Sequence, residues 1–534
     1  MLDLTASLAA FLLAIGPASA RQEIVSVDAV SPGPVIDRNI FGQFAEQLGE
    51  GIYGGVWVGP DSPIPNVRGI RSDVVAALRE LKVPNVRWPG GCFADSYNWR
   101  DGIGPADKRP VTYNINWGEP LEPNTFGTHE FMDFVEQIGS EAYLSVNVGS
   151  GTPREAAQWL EYMTSPLPTT LTLERKANGR DRPYRVKFLG VGNEVWACGG
   201  QMSAETYLGH LRTYSHYVRN LNPAQSGTNR FMPGPEPMQR IAVGPGDDDR
   251  DFTEVIMKAW KAEPAVRGAM EGLSLHHYTM GERGAMRDPA TGFGEGEYGT
   301  FIKNAFAIDR LISEHSATMD RYDPNRKVAL VIDEWGAWLQ PMDGTPALNL
   351  KQQNSMRDAL VAAIHLNVFA RHADRVRMAN IAQMVNVLQA MVLTDGAKMV
   401  RTPTYHVFRM YVPFQDARLL PVSMDPGEIR LGEAVLPRRD AIAARAADGS
   451  LWLSVVNIDP QAPTSITLEI SGVKARRASG EVLSAARFDA INTFDQPDTV
   501  APRAADVGAV DGKVRLSLPP ASVAVVKVEL DEAH

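Results

Sequence analysis

Between residues 40 and 400, short apolar runs alternate with stretches in which apolar residues return every three or four positions. Continuous runs of strand length predict strands buried on both faces, and the longer period predicts amphipathic helices. Eight strand candidates follow in order: FGQFAEQL (41–48), VPNVRWPG (83–90), EAYLSVNVG (141–149), VKFLGVGNE (186–194), RIAVGPG (240–246), LSLHHYT (273–279), KVALVIDEW (327–335) and RMANIAQMVN (377–386). Between them, DVVAALREL carries Val74, Val75, Leu78 and Leu81 on one face, and HEFMDFVEQI does the same with Phe131, Phe134, Val135 and Ile138. Ser203 is placed to cap the helix SAETYLGHLRTYSHYVRNL.

This alternation predicts an α/β fold, an all-parallel (β/α)8 TIM barrel over residues 40–402. A doubly wound open sheet is the alternative. It is the weaker one, because no G-x-G-x-x-G or phosphate-binding loop follows the early strands. From residue 403 to 534 the period shortens to two in LWLSVVNI, SITLEI, KVRLSL and SVAVVKVEL, which predicts a C-terminal antiparallel β-sandwich. EIVSVDAV has the same character, so residues 21–39 are expected to join that sandwich across the sequence.

Composition narrows the function. A net charge of −10 with no basic stripe excludes nonspecific binding to nucleic acid or an anionic membrane. Two cysteines, Cys92 and Cys198, are too few for a disulfide-dependent scaffold or a structural zinc centre built on thiolates. Residues 1–20 end in Gly-Pro-Ala-Ser-Ala after a short apolar stretch and read as a signal peptide, despite Asp3 and no basic residue ahead of it. A periplasmic or secreted protein is the expectation.

The C-terminal ends of barrel strands form the catalytic face. Two candidates finish in a glutamate, Glu194 on the fourth and Glu334 on the seventh, and those strands face each other across a barrel mouth. Such a pair suits glycoside hydrolysis, where one carboxyl donates a proton to the leaving oxygen and the other attacks the anomeric carbon; retaining enzymes hold the two about 5 Å apart. His276 and His277 are adjacent on a strand and point to opposite faces, so they cannot share one metal; His276 is expected at the pocket with Tyr278 and His277 in packing. Trp335 reads as core. Asp247-Asp248-Asp249 lacks calcium-loop spacing and reads as a solvated loop. The glycine-rich segment TMGERGAMRDPATGFGEGEYGT is expected to lie over the pocket.

The blocks FAEQLGEGIYGGVWVG, RWPGGCFADSYNWRDGIGP, GNEVWACGG, VIDEWGAW and NIAQMVNVL, in that order, resemble the signature blocks of family 51 of the glycoside hydrolases, mostly α-L-arabinofuranosidases. The resemblance implies retaining removal of terminal non-reducing α-L-arabinofuranosyl groups from arabinan- or arabinoxylan-type saccharides, with Glu194 as acid/base and Glu334 as nucleophile. It further implies sugar contacts from Glu46, Cys92, Asn193, Tyr278, Trp338 and Gln383, no metal or other cofactor, and a homo-oligomer, a hexamer in the family. The same fold and carboxylates would also serve a β-xylosidase or endo-glucanase; a non-catalytic carbohydrate binder would need neither acid nor nucleophile. Both cysteines sit in catalytic-face blocks, which raises a disulfide between them in an oxidising compartment as a hypothesis.

Overall fold

A computed structural model describes residues 22–118, 121–226 and 234–531. Residues 1–20, read above as a signal peptide, lie outside them. Eight parallel strands close into a barrel: Gly42–Phe44, Asn85–Trp88, Glu141–Val146, Phe188–Val191, Gln239–Ala242, Gly272–Thr279, Ala329–Ala337 and Val376–Ala382. The eighth strand returns to the first through Asn380 opposite Gly42, and the first pairs with the second through Gln43 opposite Val86. Every strand lies inside or one or two residues beside its expected run, and the runs are trimmed where side chains begin to build loops. The fold class expected from the pattern is the one observed.

The barrel is filled rather than hollow. Tyr143, Phe188, Ile241, Ala329, Val331 and Met378 form an apolar layer toward its lower end, and charged side chains occupy the upper half. Outer helices are held by ordinary end chemistry: Thr152 accepts from Glu155 N ahead of Pro153, and Ser203 caps the helix Ala204–Tyr217 by accepting from Thr206 N, as expected. Asp249 likewise caps Arg250–Ala262, so the acidic run after the fifth strand serves a helix start.

Two sheets of five and six strands make up the sandwich. Its core contains Val25 and Val27 from the strand Gln22–Val27, which lies between Val422–Met424 and Thr464–Ile470. Pairing with Thr464–Ile470 is parallel, an exception to the all-antiparallel expectation that arises because this strand enters from the far end of the chain. A second difference is the helix Pro403–Tyr411, capped by Thr402, in a stretch that the pattern assigns to the sandwich. It packs on the helix Met356–Arg371, which is buried on every side between barrel and sandwich. Asn367 of that helix donates to Asp440 of the sandwich. Among the described residues no helix is long and apolar enough to cross a membrane.

Candidate active site

Glu194 sits three residues beyond the fourth strand, on a turn rather than on the strand itself. Its φ of +36° is a conformation that L side chains rarely adopt and that costs on the order of 1–3 kcal/mol. The turn is held by its own carbonyl, which accepts from Ala197 N at 2.7 Å and Gly199 N at 3.0 Å. Below it, Asp95 accepts from Asn193 N and from Val148 N and Gly149 N, tying the ends of the third and fourth strands together. Burial pushes the Asp95 carboxyl up to about 7 despite those three donors.

Glu334 lies within the seventh strand and points into the barrel mouth, with both oxygens engaged. Oε1 accepts from Arg87 at 2.7 Å, and Oε2 accepts from the Tyr278 hydroxyl at 2.8 Å. His276 stands between the two glutamates: its Nδ1 is 2.8 Å from Glu194 Oε1 and 3.6 Å from Glu334 Oε2, while Nε2 is 3.2 Å from Asp333 Oδ1. Oxygens of Glu194 and Glu334 and a His276 ring nitrogen all lie within 4.8 Å of one another. Burial by itself would lower the imidazole pKa, but Glu334, Asp333 and Glu194 outweigh it and raise it to about 10, so His276 is a cation at neutral pH.

A second layer supports these groups. Arg87, on the second strand and 1% exposed, reaches Glu334 with one guanidinium nitrogen and Asn193 Oδ1 with the other. Its Nε is 3.5 Å from Asp333, whose Oδ2 accepts from Tyr143 at 2.7 Å. Asp333 is also buried, which would raise its pKa, but Arg87, His276 and Tyr143 together lower it.

The other expected contacts gather around this centre. Glu46 accepts from Phe93 N at 2.9 Å, and Gln383 Oε1 accepts from Glu46 N at 3.0 Å. Burial drives the Glu46 carboxyl up to about 7, with the Glu334 charge adding to the rise. Gly91 leaves Glu46 its place, since a Cβ would stand 2.6 Å from both Glu46 oxygens and push them aside. Tyr278 and Trp338 meet edge to face at 5.0 Å and join Trp117 and Met286 on an apolar wall beside Phe44 and Leu48. Met286 comes from the glycine-rich segment after the sixth strand, so that segment packs against the same apolar cluster as Tyr278 and Trp338. Cys92 is bonded to Cys198, with Cα atoms 5.5 Å apart.

The bystanders also find places. Trp335 is fully buried against His365, Phe369 and Phe408. His277 faces away from the pocket and bonds Asp247 at 2.7 Å, which gives the first residue of the acidic run a partner. Sequence reasoning missed Arg87, Asp95, Asp333 and Trp117. For Arg87 a signal existed: an arginine in the middle of a fully buried strand needs buried anions.

Two family models match: the α-L-arabinofuranosidase 1 domain over residues 77–234 and the α-L-arabinofuranosidase C-terminal domain over residues 333–522. An intracellular exo-α-L-arabinofuranosidase of Bacteroides ovatus is 42% identical over 523 residues, 97% of this chain and 98% of its own. The GH51 arabinofuranosidase from Xanthomonas axonopodis pv. citri superposes with a TM-score of 0.90 at 46% identity, covering 95% of this chain and 100% of its own. The α-L-arabinofuranosidase from Thermotoga maritima, solved as an arabinose complex, gives 0.81 at 28% identity over 95% of this chain and 100% of its own. The expectation of a periplasmic or secreted protein is overturned by the Bacteroides relative, which matches nearly end to end and is an intracellular enzyme. Similarity of this extent along the whole barrel and sandwich makes the chain a member of glycoside hydrolase family 51, the α-L-arabinofuranosidases.

Proposed function

We propose that the protein is a retaining, exo-acting α-L-arabinofuranosidase that releases terminal non-reducing arabinofuranosyl groups from arabinan- or arabinoxylan-type saccharides. The observation that carries this reading is the proximity of Glu194 and Glu334, with oxygens inside 4.8 Å. Inverting enzymes need about 6.5–9.5 Å between carboxyls to admit a water, whereas a direct attack needs about 5 Å.

In the first step Glu334 attacks the anomeric carbon while Glu194 gives its proton to the departing glycosidic oxygen. In the second, Glu194 takes a proton from water, and the oxygen of that water displaces Glu334 with overall retention. Arg87 and Tyr278 fix both Glu334 oxygens before attack, so little reorganisation remains for the transition state. His276, positively charged between the two acids, orients Glu194 from the side opposite Cys198. Asn193, whose Oδ1 is held by Arg87, presents its amide to the sugar hydroxyl next to the anomeric carbon. Glu46 and Gln383 take the remaining hydroxyls, and Trp338 lies beside the ring. The exo character named for the Bacteroides relative supports terminal-group specificity.

The test uses an aryl α-L-arabinofuranoside with proton NMR of the first sugar released. Expected are release of the α-configured sugar, near-complete loss in Glu334→Ala, and a Glu194→Ala variant that still turns over an activated aryl leaving group and is rescued by azide. Release of the inverted sugar, or wild-type rates in Glu334→Ala, would defeat the reading.

A further inference from the structure

The turn that carries Glu194 also carries Cys198, whose sulfur lies 3.6 Å from Glu194 Oε2. His276 occupies the other oxygen, Oε1, so Oε2 is the one turned toward the sulfur. Cys92, Cys198 and Glu194 each offer a ligand atom within 4.8 Å of the others. Cys198 is exposed and Cys92 half-buried, so both a reductant and an ion can reach them.

The geometry has a chemical counterpart. Zinc binds thiolate sulfur at about 2.3 Å and carboxylate oxygen at about 2.0 Å; at a tetrahedral angle these lengths put sulfur and oxygen about 3.5 Å apart. The Cys198–Glu194 separation already has that value. Two thiolates on one tetrahedral ion stand about 3.8 Å apart, a spacing that side-chain rotation reaches once the disulfide opens, because the Cα atoms are 5.5 Å apart. Asn193 Nδ2, 3.7 Å from the Cys198 sulfur, supplies a donor to a thiolate there.

We propose that reduction of the Cys92–Cys198 disulfide creates a site for a thiophilic divalent cation of the zinc or cadmium class, formed by the two thiolates and the Glu194 carboxylate. The disulfide form holds no such site, because each sulfur is then spent on the other. Reduction by a phosphine breaks the S–S bond, converts the phosphine to its oxide with oxygen from water, and delivers two electrons and two protons to the sulfurs. Binding of the dication then releases both thiol protons, together with the proton of Glu194 wherever that carboxyl carries one. In a reducing compartment, where disulfides are opened, the site exists whenever the metal is free. Occupancy removes Glu194 from proton transfer; that consequence, unlike the binding itself, rests on the acid/base reading above.

The experiment uses the full chain, reduced with a phosphine, desalted without oxygen and titrated with cobalt(II) as the spectroscopic probe. Expected is one cobalt per reduced chain with a thiolate-to-metal charge-transfer band, at least two protons released per ion, and displacement by zinc. Neither the oxidised chain nor the reduced C92S/C198S double variant shows the band, and reduced E194Q binds at least tenfold more weakly. Circular dichroism confirms that the reduced chain is folded. A folded, reduced chain that takes up no cobalt, or takes it up without the thiolate band, overturns the site; E194Q binding as tightly as the parent overturns the carboxylate's part. Zinc is expected to slow the reduced enzyme at least tenfold, reversibly with a chelator, and to spare the oxidised one. Full activity with zinc demonstrably bound would leave the metal site standing and sink the assignment of Glu194 as acid/base.

Discussion

Replacing Asp333 by Asn removes one negative charge from the buried layer under Glu194 and Glu334 while keeping the side chain's size and its acceptor for Tyr143. Asp333 is 3.5 Å from Arg87 Nε and 3.2 Å from His276 Nε2. With an effective dielectric near 20, each attraction is worth about 5 kcal/mol, so about 10 together. Against this stands the desolvation of a buried carboxylate, several kcal/mol, which the asparagine avoids. The net loss at pH 7 is about 3 kcal/mol, at the low end for a broken buried pair because Arg87 keeps Glu334.

Only half of that attraction persists once His276 is neutral. The imidazole pKa is raised from 6.5 to about 10, so its contribution to stability is fully present below 6.5 and is lost as pH rises through 10. Urea unfolding, followed by tryptophan fluorescence, should therefore show a gap of about 3 kcal/mol between parent and Asp333→Asn at pH 7, closing to within about 1 kcal/mol at pH 10.5. A gap below about 1 kcal/mol at pH 7, or one of equal size at both values, would refute the charge balance drawn here.

Tyr278→Phe deletes the hydroxyl that restrains Glu334 Oε2; a hydrogen bond to a charged group is worth about 1.5–3 kcal/mol, so kcat on an aryl arabinofuranoside should fall about ten- to hundredfold. An unchanged kcat would mean that the tyrosine does not hold the attacking group. Glu46→Gln should weaken substrate binding, seen as a raised KM, yet stabilise the fold at pH 8. The Glu46 carboxyl is raised from 4.5 to about 7, so its contribution is present below 4.5 and lost as pH climbs through 7. The variant should gain up to about 3 kcal/mol on the parent between pH 4.5 and 8, and parallel stability curves would contradict this. Gly91→Ala drives a methyl into both Glu46 oxygens; KM should rise severalfold with the thermal midpoint little changed, and an unaltered KM would show that Glu46 can give way.

The barrel was legible because its strands are buried on both faces and so appear as unbroken apolar runs between helical periods. Glu194 and Glu334 stood out because each lies among aromatics and glycines where a strand gives way to the catalytic face. The layer beneath them did not stand out. Arg87, Tyr143 and Asp333 come from the second, third and seventh strands, and nothing local to any one of them says which charges it will meet inside; His276, from the sixth, was expected at the pocket but not as the group between the two glutamates. Local pattern likewise placed Gln22–Val27 in the sandwich through its alternating Val25 and Val27, but not its parallel pairing with Thr464–Ile470. Cellular destination failed for a different reason: a short apolar stretch ending in small residues is a weak signal when no positive charge precedes it.

The strand Gln22–Val27 lies inside its sheet, with one neighbour at residues 422–424 and the other at 464–470. During synthesis it therefore leaves the ribosome about 440 residues before its parallel partner exists. At about 5–20 residues per second this is a wait on the order of twenty to ninety seconds. The barrel's eight strands have all emerged by then, so the first strand among the described residues is among the last to be satisfied. Until that moment Val25 and Val27 stay uncovered beside an open strand edge, and the newborn chain is most prone to mispairing at the segment that later closes the sandwich.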